Sequence, residues 1–424
     1  MAITLSHPTN KITGSIHLTA SKSMSNRALM IRALCKENFE IKNLATAKDT
    51  VTLNHLLADA HGAYDVGHAG TVMRFMTAFL ALQDGEHIIS GSERMHQRPI
   101  KILVEALREL GVQIHYLKKE GYPPLQIQGG SIKGGVIELD GSISSQYISA
   151  LLLIAPVLKN GLTIQFKGEV ISKPYIDMTV QMMQYFGVEV SWNANTMVVK
   201  EGAYQPKELV VEADWSSASY WYGMVALAEE AEMELFGLNE NSLQGDAVVK
   251  DIYKNLGVQT YFMENGIRIK KNPATSTQHS TLNVDFLTCP DIAQTVAVTC
   301  AALNVKAKFT GLKTLRIKET DRIFALQKEL SKLGFDVEEV KDDLIINPSS
   351  SCHPEFNRRI DKRNKIASHS FARTSIDTYD DHRMAMAFAP LAFKAPITIH
   401  DEAVVVKSYP EFWGDLEKVG FKIN

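Results

Sequence analysis

Basic and hydroxyl side chains recur in this chain where a helix is about to begin. Ser21–Arg27 reads S-K-S-M-S-N-R, directly before the helix-forming run Ala28–Leu34. Short hydroxyls cap a helix and leave its first N–H groups free to face a ligand. The macrodipole adds partial positive charge there, and Lys22 and Arg27 add two full charges, with Ser23 between them, which suits an anion. His68–Arg74, H-A-G-T-V-M-R, starts a second helix with Gly70 and Thr71, so that backbone can approach a ligand closely and Arg74 can follow it. In Arg94–Ile100, R-M-H-Q-R-P-I, Arg98 stands before Pro99, which sets the first turn of a helix running to Leu110. Ser144-Ser145-Gln146 is a doubled hydroxyl at a helix start, and Ser172-Lys173-Pro174-Tyr175 follows a strand-like run. Each of these, taken alone, reads better as a capped helix with solvated charges.

The second half repeats the theme. In Arg316–Arg322, R-I-K-E-T-D-R, the spacing of Lys318 and Arg322 predicts that they share a helix face, with Glu319 beside them. A solvated helix with ion pairs would look the same, but the strand-like K-F-T-G-L before it predicts a strand-to-helix junction, where α/β ligand sites lie. In Tyr379–Met384, Y-D-D-H-R-M, Asp381 reads as a cap, while His382 and Arg383 sit in a first turn that disfavours cations. Lys407 follows the run V-V-V, read as a buried strand. Asp291, in C-P-D-I-A-Q-T, and Glu319 are candidate acids or bases. No nucleotide loop, dinucleotide fingerprint, nucleophile elbow or zinc pattern occurs. Many cations with few carboxylates suit the clamping of two small polyanions and the movement of a proton between them.

A weak repeat organises these stretches. A helix-like segment, a glycine and a β-rich segment recur around Gly62, Gly111, Gly187, Gly257, Gly334 and Gly420, giving α/β modules of about 70 residues. The first is degenerate. Out of phase with them, six apolar helices start near Ser23, Gly70, Ser145, Ser216, Asp291 and Asp381, and helices apolar on most sides are buried ones. The expected fold is α/β, with two domains of three repeats whose helices pack inside a shell of sheets. The boundary falls at 213, giving domains 20–212 and 1–19 with 213–424, the N-terminal residues pairing back into the second half. At 424 residues two domains are the natural expectation. A net charge of −3 argues against a general nucleic-acid binder, so basic clusters are local sites. Four dispersed cysteines suit a reducing cytoplasm, and no apolar run reaches membrane-span length. A repeat scaffold without catalysis is the competing class; it has no reason to load helix starts with Lys22, Arg27, Arg74 and Arg383.

Together S-K-S-x-S-N-R, H-A-G-T-x-x-R, Q-R-P-I, S-S-Q, S-K-P-Y, R-x-K-E-T-D-R, D-D-H-R-M-A-M and K-S-Y-P resemble the enolpyruvyl transferases, in the branch that uses shikimate 3-phosphate. The resemblance covers essentially the whole chain. It implies a two-domain, inside-out α/β barrel-like fold of six βαβαββ repeats, and transfer of the enolpyruvyl group of phosphoenolpyruvate in the route to chorismate and aromatic amino acids. It implies no metal or cofactor, small-anion substrates and a cytoplasmic monomer that touches neither nucleic acid nor membrane. By matching motif, Lys22, Ser23, Arg27, Ser144, Ser145, Gln146, Ser172, Tyr175, Asp291 and Lys318 would take shikimate 3-phosphate. Lys22, Gly70, Arg74, Arg98, Gln146, Arg322, Arg383 and Lys407 would take phosphoenolpyruvate, and Lys22, Asp291 and Glu319 would be catalytic. Thr19-Ala20 departs from the family's usual Pro-Gly, and His68 and Thr314 stand where asparagine is usual. The relatives that use a UDP-sugar acceptor carry a cysteine in the loop matching Arg94–Arg98, where this chain has none.

Overall fold

A computed structural model describes residues 1–58, 62–170, 173–272, 281–348 and 375–424. The chain forms two compact units, Ala20–Glu212 and Met1–Thr19 together with Ala213–Asn424. One pattern builds both. In the first unit the strand Ala63–Asp65, helix Gly70–Leu80, strand Gly85–Ser90, helix Lys101–Glu109 and hairpin Gln113–Tyr116/Leu125–Gly129 follow one another. The first two strands run parallel, Ala63 opposite Ile88, and the hairpin adds two antiparallel strands, the later one innermost. The segment Lys133–Asp140 to Thr196–Val199 repeats this βαβαββ order with the same pairing. The third sheet of this unit has only two described strands, Ile41–Lys42 parallel to Leu209–Val210. The short span from Asp49 to Gly70 holds no outer hairpin among the described residues, in keeping with the degenerate first repeat.

The other unit closes two of its sheets with N-terminal strands. Lys11–His17 runs parallel to Glu230–Phe236, beside the hairpin Val258–Met263/Gly266–Lys271. Ala2–Ser6 inserts between Ile397–His400 and Lys422–Ile423, antiparallel to both. The sheet of Leu282–Asp285, Ala307–Thr310, Asp343–Asn347 and Asp336–Val340 is built from contiguous sequence.

The repeat glycines sit where a chain must reverse from helix to strand. All six have positive φ, from 78° at Gly62 to 98° at Gly420, the left-handed conformation that costs an L side chain. Inner and outer helices differ in burial as their sequences dictate. Lys101–Glu109 buries one face, Leu103, Val104, Ala106 and Leu107, whereas every residue of Gly70–Leu80 except Thr71 is buried. Every residue of Trp215–Leu227 and of His382–Phe388 is buried. A helix enclosed by its sheets must be apolar all round, and each buried Phe such as Phe75 contributes about 1.5–3 kcal/mol. What such helices cannot bury is their N-terminal N–H groups, and those ends carry the polar residues singled out above.

Candidate active site

In the Ala20–Glu212 unit three inner-helix starts carry the motif residues. Ser21 caps the helix Lys22–Leu34, its hydroxyl accepting from the Met24 N–H at 3.4 Å. Lys22 Nζ lies 3.2 Å from Asp49 Oδ2, a buried carboxylate on the next helix. Arg27 is buried and donates to Thr179 Oγ1 at 2.7 Å, to the Ser23 carbonyl at 2.9 Å, to the Tyr175 carbonyl at 3.1 Å and to Ser149 Oγ at 3.2 Å. Burial pushes the guanidinium down to about 10, so it stays cationic at neutral pH. Arg27 thus ties the Ser21 helix start to the helix behind Ser144–Gln146 and to Tyr175.

Around Gly70 the packing is closer. A Cβ on Gly70 would stand 2.5 Å from both terminal nitrogens of Arg98, so the guanidinium lies directly against the helix start. Arg98 is buried, its Nη1 reaches the His68 carbonyl at 3.5 Å, and its Nε has no hydrogen-bond partner among the described residues. A buried guanidinium with an unused donor beside a helix start has the chemistry to hold an anion. Arg74 supports it from behind, donating to the Gly70 carbonyl at 3.0 Å and the Pro99 carbonyl at 2.8 Å, so its described bonds hold the site together. Gln146 Nε2 donates to Thr71 Oγ1 at 3.1 Å, and Ser144 caps the helix Ser145–Ile154. The helix expected from Pro99 starts two residues later, at Lys101, because Ile100 is its cap residue. Ser172 lies outside the described residues.

The Ala213–Asn424 unit gathers its motif residues into one charge network. Arg322 donates from Nε to Asp381 Oδ2 at 2.6 Å, from Nη1 to Asp291 Oδ1 at 3.0 Å and from Nη2 to Glu319 Oε2 at 2.9 Å. Lys318 Nζ is 3.5 Å from Asp291 Oδ1, Arg383 Nη2 is 3.1 Å from Asp291 Oδ2, and Lys407 Nζ is 2.6 Å from Glu319 Oε1. Two expectations are corrected here. Lys318 and Arg322 do not share a helix face: Lys313–Ile317 is a 3-10 turn, Lys318 is extended, and Asp321 caps a helix that begins only at Arg322. They converge on Asp291 because the loop folds over it. Lys407 ends the 3-10 turn Glu402–Lys407, not a strand, so Val406 is exposed while Val405 and Lys407 are buried. Asp381 caps the helix His382–Phe388 as expected, accepting from the Arg383 N–H at 2.9 Å.

Burial pushes the Asp291 carboxyl up, but Arg383, Lys318 and Arg322 outweigh it and hold the group well below the usual carboxylate range. Burial lowers Lys318, with Asp291 opposing, whereas the neighbouring carboxylates raise Arg322 and Arg383 against burial. Asp291 is therefore ionised at neutral pH. Sequence reading missed Asp49 and Asp246. Asp246 is buried, accepts from Ser216 Oγ, and Ser216 Oγ in turn accepts from Arg383 Nη2 at 3.4 Å. The only sequence signal at either is an acid near the start of a helix or 3-10 turn, which many surface residues share.

The buried-helix repeats define an inside-out α/β fold whose helix starts carry the cations described above. A model of the EPSP synthase (3-phosphoshikimate 1-carboxyvinyltransferase) family matches residues 6–61 and 52–416, and the chain belongs to that family. A Bacteroides fragilis (strain YCH46) protein named 3-phosphoshikimate 1-carboxyvinyltransferase is 47% identical over 426 residues, spanning 100% of this chain and 99% of that relative. One of the same name from Histophilus somni (strain 2336) is 36% identical and covers 98% of both. A solved EPSP synthase from Acinetobacter baumannii, 22% identical, has the same fold at a TM-score of 0.78 over 100% of each chain.

Proposed function

We infer that this chain transfers the enolpyruvyl group of phosphoenolpyruvate to the 5-hydroxyl of shikimate 3-phosphate, releasing phosphate, in the shikimate route to chorismate and aromatic amino acids. The observation that carries the reading is Asp291, a carboxylate clamped by Arg322, Arg383 and Lys318. Addition of the acceptor hydroxyl to C2 of the donor needs a base for the hydroxyl proton and an acid for the C3 methylene. Elimination then needs a proton removed from the new methyl group as phosphate leaves. Asp291 takes the hydroxyl proton, and Glu319 and Lys22 serve the methylene and methyl steps. Lys22, Ser23, Arg27, Ser144, Ser145, Gln146, Ser172, Tyr175, Asp291 and Lys318 bind shikimate 3-phosphate. Lys22, Gly70, Arg98, Gln146, Arg322, Arg383 and Lys407 bind phosphoenolpyruvate, and Arg74 fixes the Gly70 and Pro99 backbone around them.

Anions entering the network displace Asp291 and Glu319 from their cations, so substrate binding itself switches the bases on. The reaction as written uses the two substrates and no cofactor. The family resemblance favours a monomer, and a net charge of −3 supports small anions over nucleic acid as partners. The free thiols Cys35, Cys289 and Cys300 suit the cytoplasm. Among the described residues no helix is long and apolar enough to cross a membrane. The test is acceptor choice. Phosphoenolpyruvate with equal shikimate 3-phosphate and UDP-N-acetylglucosamine should yield only enolpyruvylshikimate 3-phosphate by mass spectrometry; an enolpyruvyl UDP-sugar would overturn the assignment.

A further inference from the structure

We propose that Asp246 is a positioning residue for this transfer: through the Ser216 hydroxyl its carboxyl orients the Arg383 guanidinium, and its charge sets how readily Arg383 accepts an anionic donor. The proposal rests on the function inferred above. The geometry starts in N-S-L-Q-G-D, residues 241–246. Gln244 accepts from the Trp215 N–H at 3.1 Å and donates to the Ala213 carbonyl at 2.8 Å, which fixes the turn Gly245–Val248 to the start of the helix that carries Ser216. Asp246 is 4% exposed, and its Oδ2 accepts from Ser216 Oγ while its Oδ1 has no hydrogen-bond partner among the described residues. Ser216 Oγ accepts from Arg383 Nη2, the nitrogen that lies 3.1 Å from Asp291 Oδ2. A single line of contacts therefore runs from Asp246 through Ser216 and Arg383 to Asp291.

The groups facing Asp246 are Arg383 on the helix His382–Phe388, Asp291 on the turn Pro290–Ile292 and Asp214 capping the helix Trp215–Leu227. Cys289, also near, is neutral because burial pushes its thiol up to about 12. Burial first, then Asp291, push the Asp246 carboxyl up to about 7 against the pull of Arg383 and the Ser216 hydrogen bond. Below that pH Asp246 is neutral and pulls less on Arg383, so a donor carboxylate or phosphate has mainly Asp291 to displace from it. Above it a second carboxylate competes for the same guanidinium.

The test compares KM for phosphoenolpyruvate, at saturating shikimate 3-phosphate, in the wild type and in Asp246→Asn between pH 6 and pH 8. Substrate ionisation is common to both and cancels in the ratio. The wild-type KM should rise relative to the Asn variant by about fivefold to tenfold across this range, with a smaller change in kcat. Ser216→Ala cuts the same line, so it should raise KM and flatten this difference, and it serves should Asp246→Asn not fold. A pH-independent ratio with active wild-type enzyme overturns the proposal alone. Wild-type protein that releases no phosphate with shikimate 3-phosphate at any pH overturns the underlying function as well.

Discussion

Gly70 shows how tightly one residue choice can govern a site. With no side chain, it lets the Arg98 guanidinium lie against the helix start; a methyl there would stand 2.5 Å from both terminal nitrogens. Gly70→Ala should leave the fold intact, because the clash is with the far end of a flexible side chain. It should raise KM for phosphoenolpyruvate about tenfold by shifting Arg98, which steady-state kinetics at saturating acceptor would show. An unchanged KM would mean that Arg98 does not meet the donor. At this scale the cations were legible in sequence, because Lys22, Arg98, Arg322 and Arg383 stand beside recognisable helix starts. Their neutralising partners were not. Asp49 is 27 residues from Lys22, and Asp246 is 30 from Ser216, so only the tertiary fold makes them neighbours.

The helix–glycine–strand element carries the repeat, and its glycines make a separable prediction. Gly111 has φ 93° and nothing within 4 Å of where a methyl would stand, so Gly111→Ala tests backbone conformation alone. It should cost about 1–2 kcal/mol in urea unfolding, without altering kinetics. By contrast Gly161, inside the strand Lys159–Lys167 and outside the repeat positions, has φ 66° and the Val199 carbonyl overlapping the place of such a methyl, so its replacement should cost more. Helix starts and glycine caps were readable from local pattern because their physics is local. The Lys318–Arg322 segment misleads in sequence for the opposite reason. Its four-residue spacing fits a helix, but Asp321 is the better cap, and its carboxylate accepts from the Phe324 N–H at 3.2 Å. The turn Tyr379–Asp380 was also hidden. Both residues have positive φ, 55° and 56°, and buried Glu329 accepts from the Tyr379 hydroxyl at 2.6 Å, holding the turn that delivers Asp381 and Arg383.

Across the whole molecule the N-terminal strands matter most. Ala2–Ser6 is an inner strand of its sheet, and removing it strips the pairing edges of Ile397–His400 and Lys422–Ile423. Removing Lys11–His17 uncovers Glu230–Phe236 along its full length. A chain lacking residues 1–19 should therefore lose protection from proteolysis throughout 213–424 while 20–212 stays resistant; uniform resistance would contradict the pairing. The glycine-marked repeat and the six apolar helices point to this architecture, whereas the register of the returning strands depends on contacts hundreds of residues apart, which no local pattern encodes.

We propose that Asp291, switched on by substrate anions, drives an acceptor-dependent release of phosphate. Its most direct test is the initial rate of phosphate release from phosphoenolpyruvate, titrated with shikimate 3-phosphate, for the wild type and Asp291→Asn. The wild type should release phosphate only with acceptor present and saturate with it, and the Asn variant should be slower by about 100-fold to 10,000-fold. Release without acceptor, or an Asn variant as fast as the wild type, would rule out this role for Asp291.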